Sequence, residues 1–144
     1  MGINVALDGP SGAGKSTIAK AVAKKLEYVY VDTGAMYRSI AYYVISKGAD
    51  LSDPEQIKPL LADISIKLCY TEAGQRVMLN DEDVSDKIRT PEISMGASKV
   101  SAIPEVREFL LELQKNIAKE NNIIMDGRDI GTVVLPNADV KIFL

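Results

Sequence analysis

The sequence predicts an α/β fold, a doubly wound parallel sheet with a small antiparallel β-rich insertion. Three observations predict it. Short apolar runs alternate with segments of helical period at both ends of the chain. Loops rich in Gly and Asp follow directly on the carboxyl ends of those runs. In the middle the hydrophobic period falls from that of a helix to the two-residue alternation of a strand.

Each element can be read in order. Residues 3–7, Ile-Asn-Val-Ala-Leu, form a buried strand, and 9–14 a tight loop. From Ser16 a helix runs with Ile18, Ala19, Val22, Ala23 and Leu26 as its apolar stripe. Residues 28–31 make a second strand, 32–34 a second loop, and 36–46 a helix that stops near Gly48. Asp53 suits a helix N-cap, with Pro54 in the first turn and Gln56 completing a capping box. Residues 64–70 alternate apolar and polar, then 77–79 are apolar again, the pattern of a β-hairpin apart from the main sheet. A short helix spans 91–101. Pro104 opens a longer one whose Val106, Phe109, Leu110, Leu113 and Ile117 share a face. Residues 123–125 and 140–144 read as two further core strands. Tyr28, Tyr30, Tyr42 and Tyr43 read as core and helix-face residues, and Cys69 as ordinary packing.

Composition narrows the chemistry. The chain has 144 residues, 47% of them apolar, and a formal charge of −3, which suits one globular domain and offers no field for nucleic acid. No apolar run nears the ~20 residues that span a bilayer, and the N-terminus has no basic, then apolar leader. Cys69 stands alone, so no disulfide forms within the chain, and a cytoplasmic location is expected. There is no histidine, which removes imidazole bases, imidazole metal ligands and serine–histidine triads. Carboxylates, Lys, Arg, hydroxyls and backbone amides must do the work.

The first loop shows how. Gly9-Pro10-Ser11-Gly12-Ala13-Gly14-Lys15-Ser16 fits G-x-x-x-x-G-K-[ST] at every position, and Thr17 follows. Its glycines allow successive N–H groups to turn inward around an anion, and the next helix adds its free N–H groups and positive dipole end. Lys15 can bridge the β- and γ-phosphates of ATP, and the Ser16 hydroxyl can meet Mg²⁺. A glycine-rich turn that binds nothing is the plainer alternative, but the strand before and the helix after favour phosphate binding. A P-loop NTPase fold follows, with 1–62 and 103–144 as its core and 63–102 as the insertion. The N-K-x-D motif with which GTPases read guanine is absent.

Two more polar loops end strands. Asp32-Thr33-Gly34 leads into a helix on which Arg38 can meet a second phosphate bidentately. An N-cap at Asp32 or Thr33 with a solvated Arg38 is equally open at this point. Asp126-Gly127-Arg128-Asp129 follows 123–125, and a carboxylate there is a candidate Mg²⁺ group or merely part of an Asp-Gly turn.

Together, GPSGAGKST, VDTGAMYR and MDGRDIGTVVLPNADVKIFL resemble the bacterial cytidylate kinases, a family of nucleoside monophosphate kinases. The resemblance covers essentially the whole chain. It implies ATP with Mg²⁺ as phosphoryl donor and CMP, with dCMP, as acceptor, and no nucleic-acid or membrane partner. It assigns Asp32, Thr33, Gly34, Arg38, Ser98, Arg107, Arg128 and Asp129 to the acceptor, and Lys15, Arg128 and Asp129 to transfer itself. It makes 63–102 an enlarged monophosphate-binding region. From the residues alone, Ser98 and Arg107 would be solvated helix-face groups. Members of the family continue past the equivalent of Leu144 into an arginine-rich lid and a last core strand. The expectation is therefore a monomeric kinase when full length. The 144-residue piece is expected to be catalytically impaired and open to edge-strand association. A non-catalytic nucleotide-binding fragment, or an NTPase that needs no acceptor, is the alternative.

Overall fold

The structure, a computed structural model, describes residues 2–10, 14–71, 74–127, 131 and 134–143. They divide into two compact units, Met1–Val31 with Leu113–Leu144, and Asp32–Glu112. The fold class is α/β, with one parallel and one antiparallel sheet.

The first unit is built on four parallel strands, β1 (Asn4–Asp8), β2 (Val29–Val31), β6 (Ile123–Gly127) and β7 (Val140–Phe143), in the order β2-β6-β1-β7. Ala6, Leu7, Ile123, Ile124 and Met125 are almost fully buried, as expected of the unbroken apolar strands at the centre of a parallel sheet. Helix α1 (Lys15–Leu26) covers one face through a cluster of Val5, Leu7, Ala19, Ala23 and Ile124, with Val22, Tyr28 and Tyr30 packed against it. The contact stripe is narrower than the sequence suggests. Ile18 and Leu26 are exposed, because Ile18 lies about 100° round the helix from Ala19 and Leu26 is its last residue. The two alanines, not the larger residues, let α1 lie close to the sheet. Glu27 then stops the helix in the left-handed region (φ 58°), which returns the chain to β2.

Strand β7 corrects a second expectation. It was expected in the core, yet Val140, Ile142 and Phe143 are all exposed, Phe143 at 81%. It is a sheet-edge strand bonded to β1 among the described residues, with Val5 opposite Val140.

In the second unit α2 runs Thr33–Ser46, three residues earlier than expected. The side chain of Asp32 is the reason: its Oδ1 accepts from the Ala35 N–H at 3.1 Å, capping the helix and drawing 33–35 into its first turn. Helix α3 (Pro54–Leu61) starts where predicted, but Gln56 does not close a capping box. Asp53 Oδ1 accepts from the Glu55 N–H, while Gln56 gives its amide to Asp53 Oδ2 and accepts from Asp50 N instead.

The predicted hairpin is present as β3 (Ile66–Thr71) and β4 (Gly74–Leu79), paired antiparallel. A third strand, β5 (Glu82–Asp83), was missed. It folds back through Asn80 and Asp81, both at positive φ (49° and 70°), the backbone of a type I′ turn. Asn80 fastens this turn, accepting from Ser65 N at Oδ1 and donating from Nδ2 to the Asp63 carbonyl. Helix α4 (Pro91–Ser101) packs on α2 at Gly96, where a Cβ would lie 3.2 Å from Ala41 Cβ and from Leu51 Cδ1. Helix α5 (Pro104–Glu120) buries Val106, Leu110 and Ile117 on the predicted face. Among the described residues no helix is long and apolar enough to cross a membrane.

Candidate active site

The first unit carries the flanks of the Gly9–Thr17 motif. Ser11, Gly12 and Ala13 lie outside the described residues, as do Arg128 and Asp129. Gly14 sits in the left-handed region (φ 82°) at the N-cap of α1, which has no side-chain cap and no acidic residue in its first turn. The N–H groups and positive end of a helix that starts this way favour an anion. Ile18 N closes the first helical bond on the Gly14 carbonyl. Lys15 folds its ammonium back to the Pro10 carbonyl at 3.0 Å. Ser16 and Thr17 are exposed on the same turn.

Two carboxylates close the neighbouring strands. The register sets Asp126 opposite Leu7 and Gly127 opposite Asp8. Asp8 Oδ2 accepts from the Gly131 N–H at 2.9 Å. Asp126 accepts from the Tyr30 hydroxyl. No group of three or more carboxylates, thiols or imidazoles gathers around a common point among the described residues. Ser16, Asp8 and Asp126 are hard oxygen donors, the kind suited to a magnesium that would arrive on a triphosphate and keep most of its waters.

The second unit holds a separate open cavity of about 240 Å³. Gly34, Tyr37 and Arg38 line it from α2, and Ser94, Ser98 and Ser101 from α4. Asp32 does two things here. It caps α2, and its Oδ2 lies 3.9 Å from Nη2 of Arg38, a loose, partly exposed ion pair. A Cβ on Gly34 would sit 3.0 Å from Arg38 Nη1 and 3.3 Å from Asp32 Oδ1, so the bare glycine lets the guanidinium lie against the first turn. Thr33 stands in that same turn, half-buried. Burial pushes the Tyr37 phenol above its ordinary pKa, and the Arg107 guanidinium, near enough to act on it, pulls the other way. Arg107 itself is exposed. Ser98 bonds weakly to the Ser94 carbonyl (3.4 Å), while Ser101 bonds to that of Ser98 (2.9 Å).

Of the residues picked from sequence, Gly34, Arg38 and Ser98 come together around one cavity. Tyr37, Ser94 and Ser101 were missed as lining residues. Their signal was present: Gly34, Tyr37 and Arg38 share a helix face, as do Ser94, Ser98 and Ser101.

The cytidylate kinase family model matches residues 5–144. The chain belongs to the cytidylate kinase family. It is 51% identical over 142 residues to a cytidylate kinase of Carboxydothermus hydrogenoformans, covering 99% of this chain and 64% of the relative. Identity to a cytidylate kinase of Leuconostoc mesenteroides is 54% over 140 residues, covering 97% and 62%. The cytidylate kinase of Bacillus subtilis is 49% identical over 142 residues, covering 99% and 63%. The chain therefore spans less than two thirds of the length of these members of the family.

Proposed function

We propose that the protein is a nucleoside monophosphate kinase that moves the γ-phosphoryl group of Mg·ATP onto the phosphate of CMP, and of dCMP. The observation that carries this reading is the cavity around Gly34, Arg38 and Ser98 in a member of the cytidylate kinase family. It has the three requirements of an acceptor site: a guanidinium for a phosphate, hydroxyls for the edge of a base, and a glycine that makes room. Gly9–Thr17 binds the triphosphate, with Ser11, Gly12 and Ala13 completing the loop. Lys15 neutralises its far end, and Asp32 and Thr33 hold the turn from which Arg38 reaches the acceptor phosphate. Ser98 and Arg107 read CMP, and Arg128 and Asp129 serve both the acceptor and the transfer. Residues 63–102 serve as the monophosphate-binding insertion.

Ser16, together with the phosphates, would hold a magnesium ion, which would supply neutralisation of the charge on the transferred group. The CMP phosphate is already an anion, so no strong general base is needed, in keeping with a chain that has no histidine. Positioning and charge supply the catalysis. The single Cys69 favours a reducing compartment, and the cytoplasm is the proposed location. A monomer is the proposed state of the whole protein.

ADP release from Mg·ATP tests the reading, measured with CMP, dCMP, UMP and no acceptor. Release that requires CMP or dCMP is expected of the full-length protein, and the same requirement at a much lower rate of the 144-residue piece. Equal release without an acceptor would mark an acceptor-independent NTPase, and saturable binding of both nucleotides with no release a nucleotide-binding fragment.

A further inference from the structure

Tyr30 and Asp126 form a polar pair at the carboxyl end of the parallel sheet. Register sets Tyr30 opposite Ile124, and the two-residue period of a strand puts Asp126 on the same face as Ile124. That face is the one α1 covers, since Ile124 clusters with Ala19 and Ala23 and Tyr30 packs against them. Held between helix and sheet, the Tyr30 ring brings its hydroxyl to within 3.1 Å of Asp126 Oδ1 and 3.2 Å of Oδ2. Lys20 Nζ, from α1, stands 5.7 Å from the centre of the same ring. A phenol that donates across both oxygens of a carboxylate restricts its rotation and leaves its outer lone pairs for another donor. Core packing alone would be served as well by phenylalanine.

We infer that Tyr30 is a positioning residue of the phosphate site. Its O–H holds the Asp126 carboxylate on the face covered by α1, the helix that carries Lys15 and Ser16. There Asp126 accepts from the waters of the magnesium that accompanies the triphosphate. The inference rests on the Mg·ATP reading above and adds a residue to it.

Titration calorimetry of ATP into the 144-residue chain tests it, with excess Mg²⁺ and with EDTA, for the wild type, Tyr30→Phe, Asp126→Asn and the double variant. In Tyr30→Phe the gain in ATP affinity that Mg²⁺ brings falls roughly 10-fold, while affinity in EDTA stays as in the wild type. Asp126→Asn loses the same gain, and adding Tyr30→Phe to it costs nothing more. A gain left intact in Tyr30→Phe overturns the inference, as does an equal loss with and without Mg²⁺, which would mean the hydroxyl only supports packing. A wild-type chain whose ATP affinity ignores Mg²⁺ overturns the phosphate-site reading itself, and Tyr30's role with it.

Discussion

In the unit built on the parallel sheet, the groups proposed for a phosphate chain are neighbours in sequence, Gly9 to Thr17, and a motif of this kind works mostly through backbone amides. In the unit spanning Asp32–Glu112, the groups around the cavity are side chains from two helices, Gly34 and Arg38 on α2 and Ser98 on α4. The difference is physical. Backbone N–H groups converge on an anion only when successive residues curl together, so such a site must be written as a continuous motif. Side chains converge when elements pack, so such a site can be scattered, and its precision depends on the contact beneath it. Here that contact is Gly96, which lets α4 approach α2.

Removing one charge from each site should break the comparison most sharply. Lys15→Met weakens Mg·ATP binding and Arg38→Met weakens CMP binding, each by roughly 10- to 100-fold, and neither disturbs the other ligand. Calorimetry with each nucleotide alone measures both. A loss of both ligands in either variant would mean the two sites are one.

Gly96→Leu should come next. The added side chain meets Ala41, Leu51 and Ile45 at a contact already closed, and about 1–3 kcal/mol of stability is lost from the second unit. Urea unfolding measures the loss, and CMP affinity falls with it while Mg·ATP binding persists. Gly34→Ala is subtler. Alanine is the better helix former by about 1 kcal/mol, so stability holds or rises. Its methyl nonetheless presses on the Arg38 guanidinium, and CMP affinity drops severalfold. Opposite signs for stability and affinity are the signature to look for in paired melts and titrations.

The smallest effect is a control at Asp83, which does not line the cavity around Arg38. Asp83 accepts from the Ser85 hydroxyl and N–H and from Arg76, and these bonds hold its carboxyl down to about 2. A folded-state pKa below the unfolded one adds stability above about pH 4 and loses it as pH falls toward 2. Urea midpoints between pH 5 and pH 3 should therefore fall more in the wild type than in Asp83→Asn, with binding of both nucleotides at neutral pH unchanged.

The same contrast explains what could be read from the chain. The strand and helix that flank Gly9–Gly14 and the hairpin were legible, because each is a local pattern. The exact start of α2 was not, because Asp32 as a cap competes with Asp32-Thr33-Gly34 as a loop, and only the bond to Ala35 N decides it. Strand β5 escaped because two residues cannot show a period, and its turn rests on positive φ at Asn80 and Asp81. An open edge at the last strand was expected from the family's longer chains, but the exposure of Val140, Ile142 and Phe143 was not, since burial belongs to a strand's place in the sheet and not to its residues. Ser98 and Arg107 came only from the family resemblance. Tyr37, Ser94 and Ser101 needed two helices in register, and Tyr30 looked like any core aromatic until its hydroxyl met Asp126.

Amide chemical-shift mapping of the labelled chain, with CMP and with Mg·ATP added separately, tests the two-site account most directly. The account predicts that CMP moves the signals of Gly34, Arg38 and Ser98 and that Mg·ATP moves those of Gly9 through Thr17. Both nucleotides shifting one common set, or CMP leaving Gly34, Arg38 and Ser98 still, would contradict it.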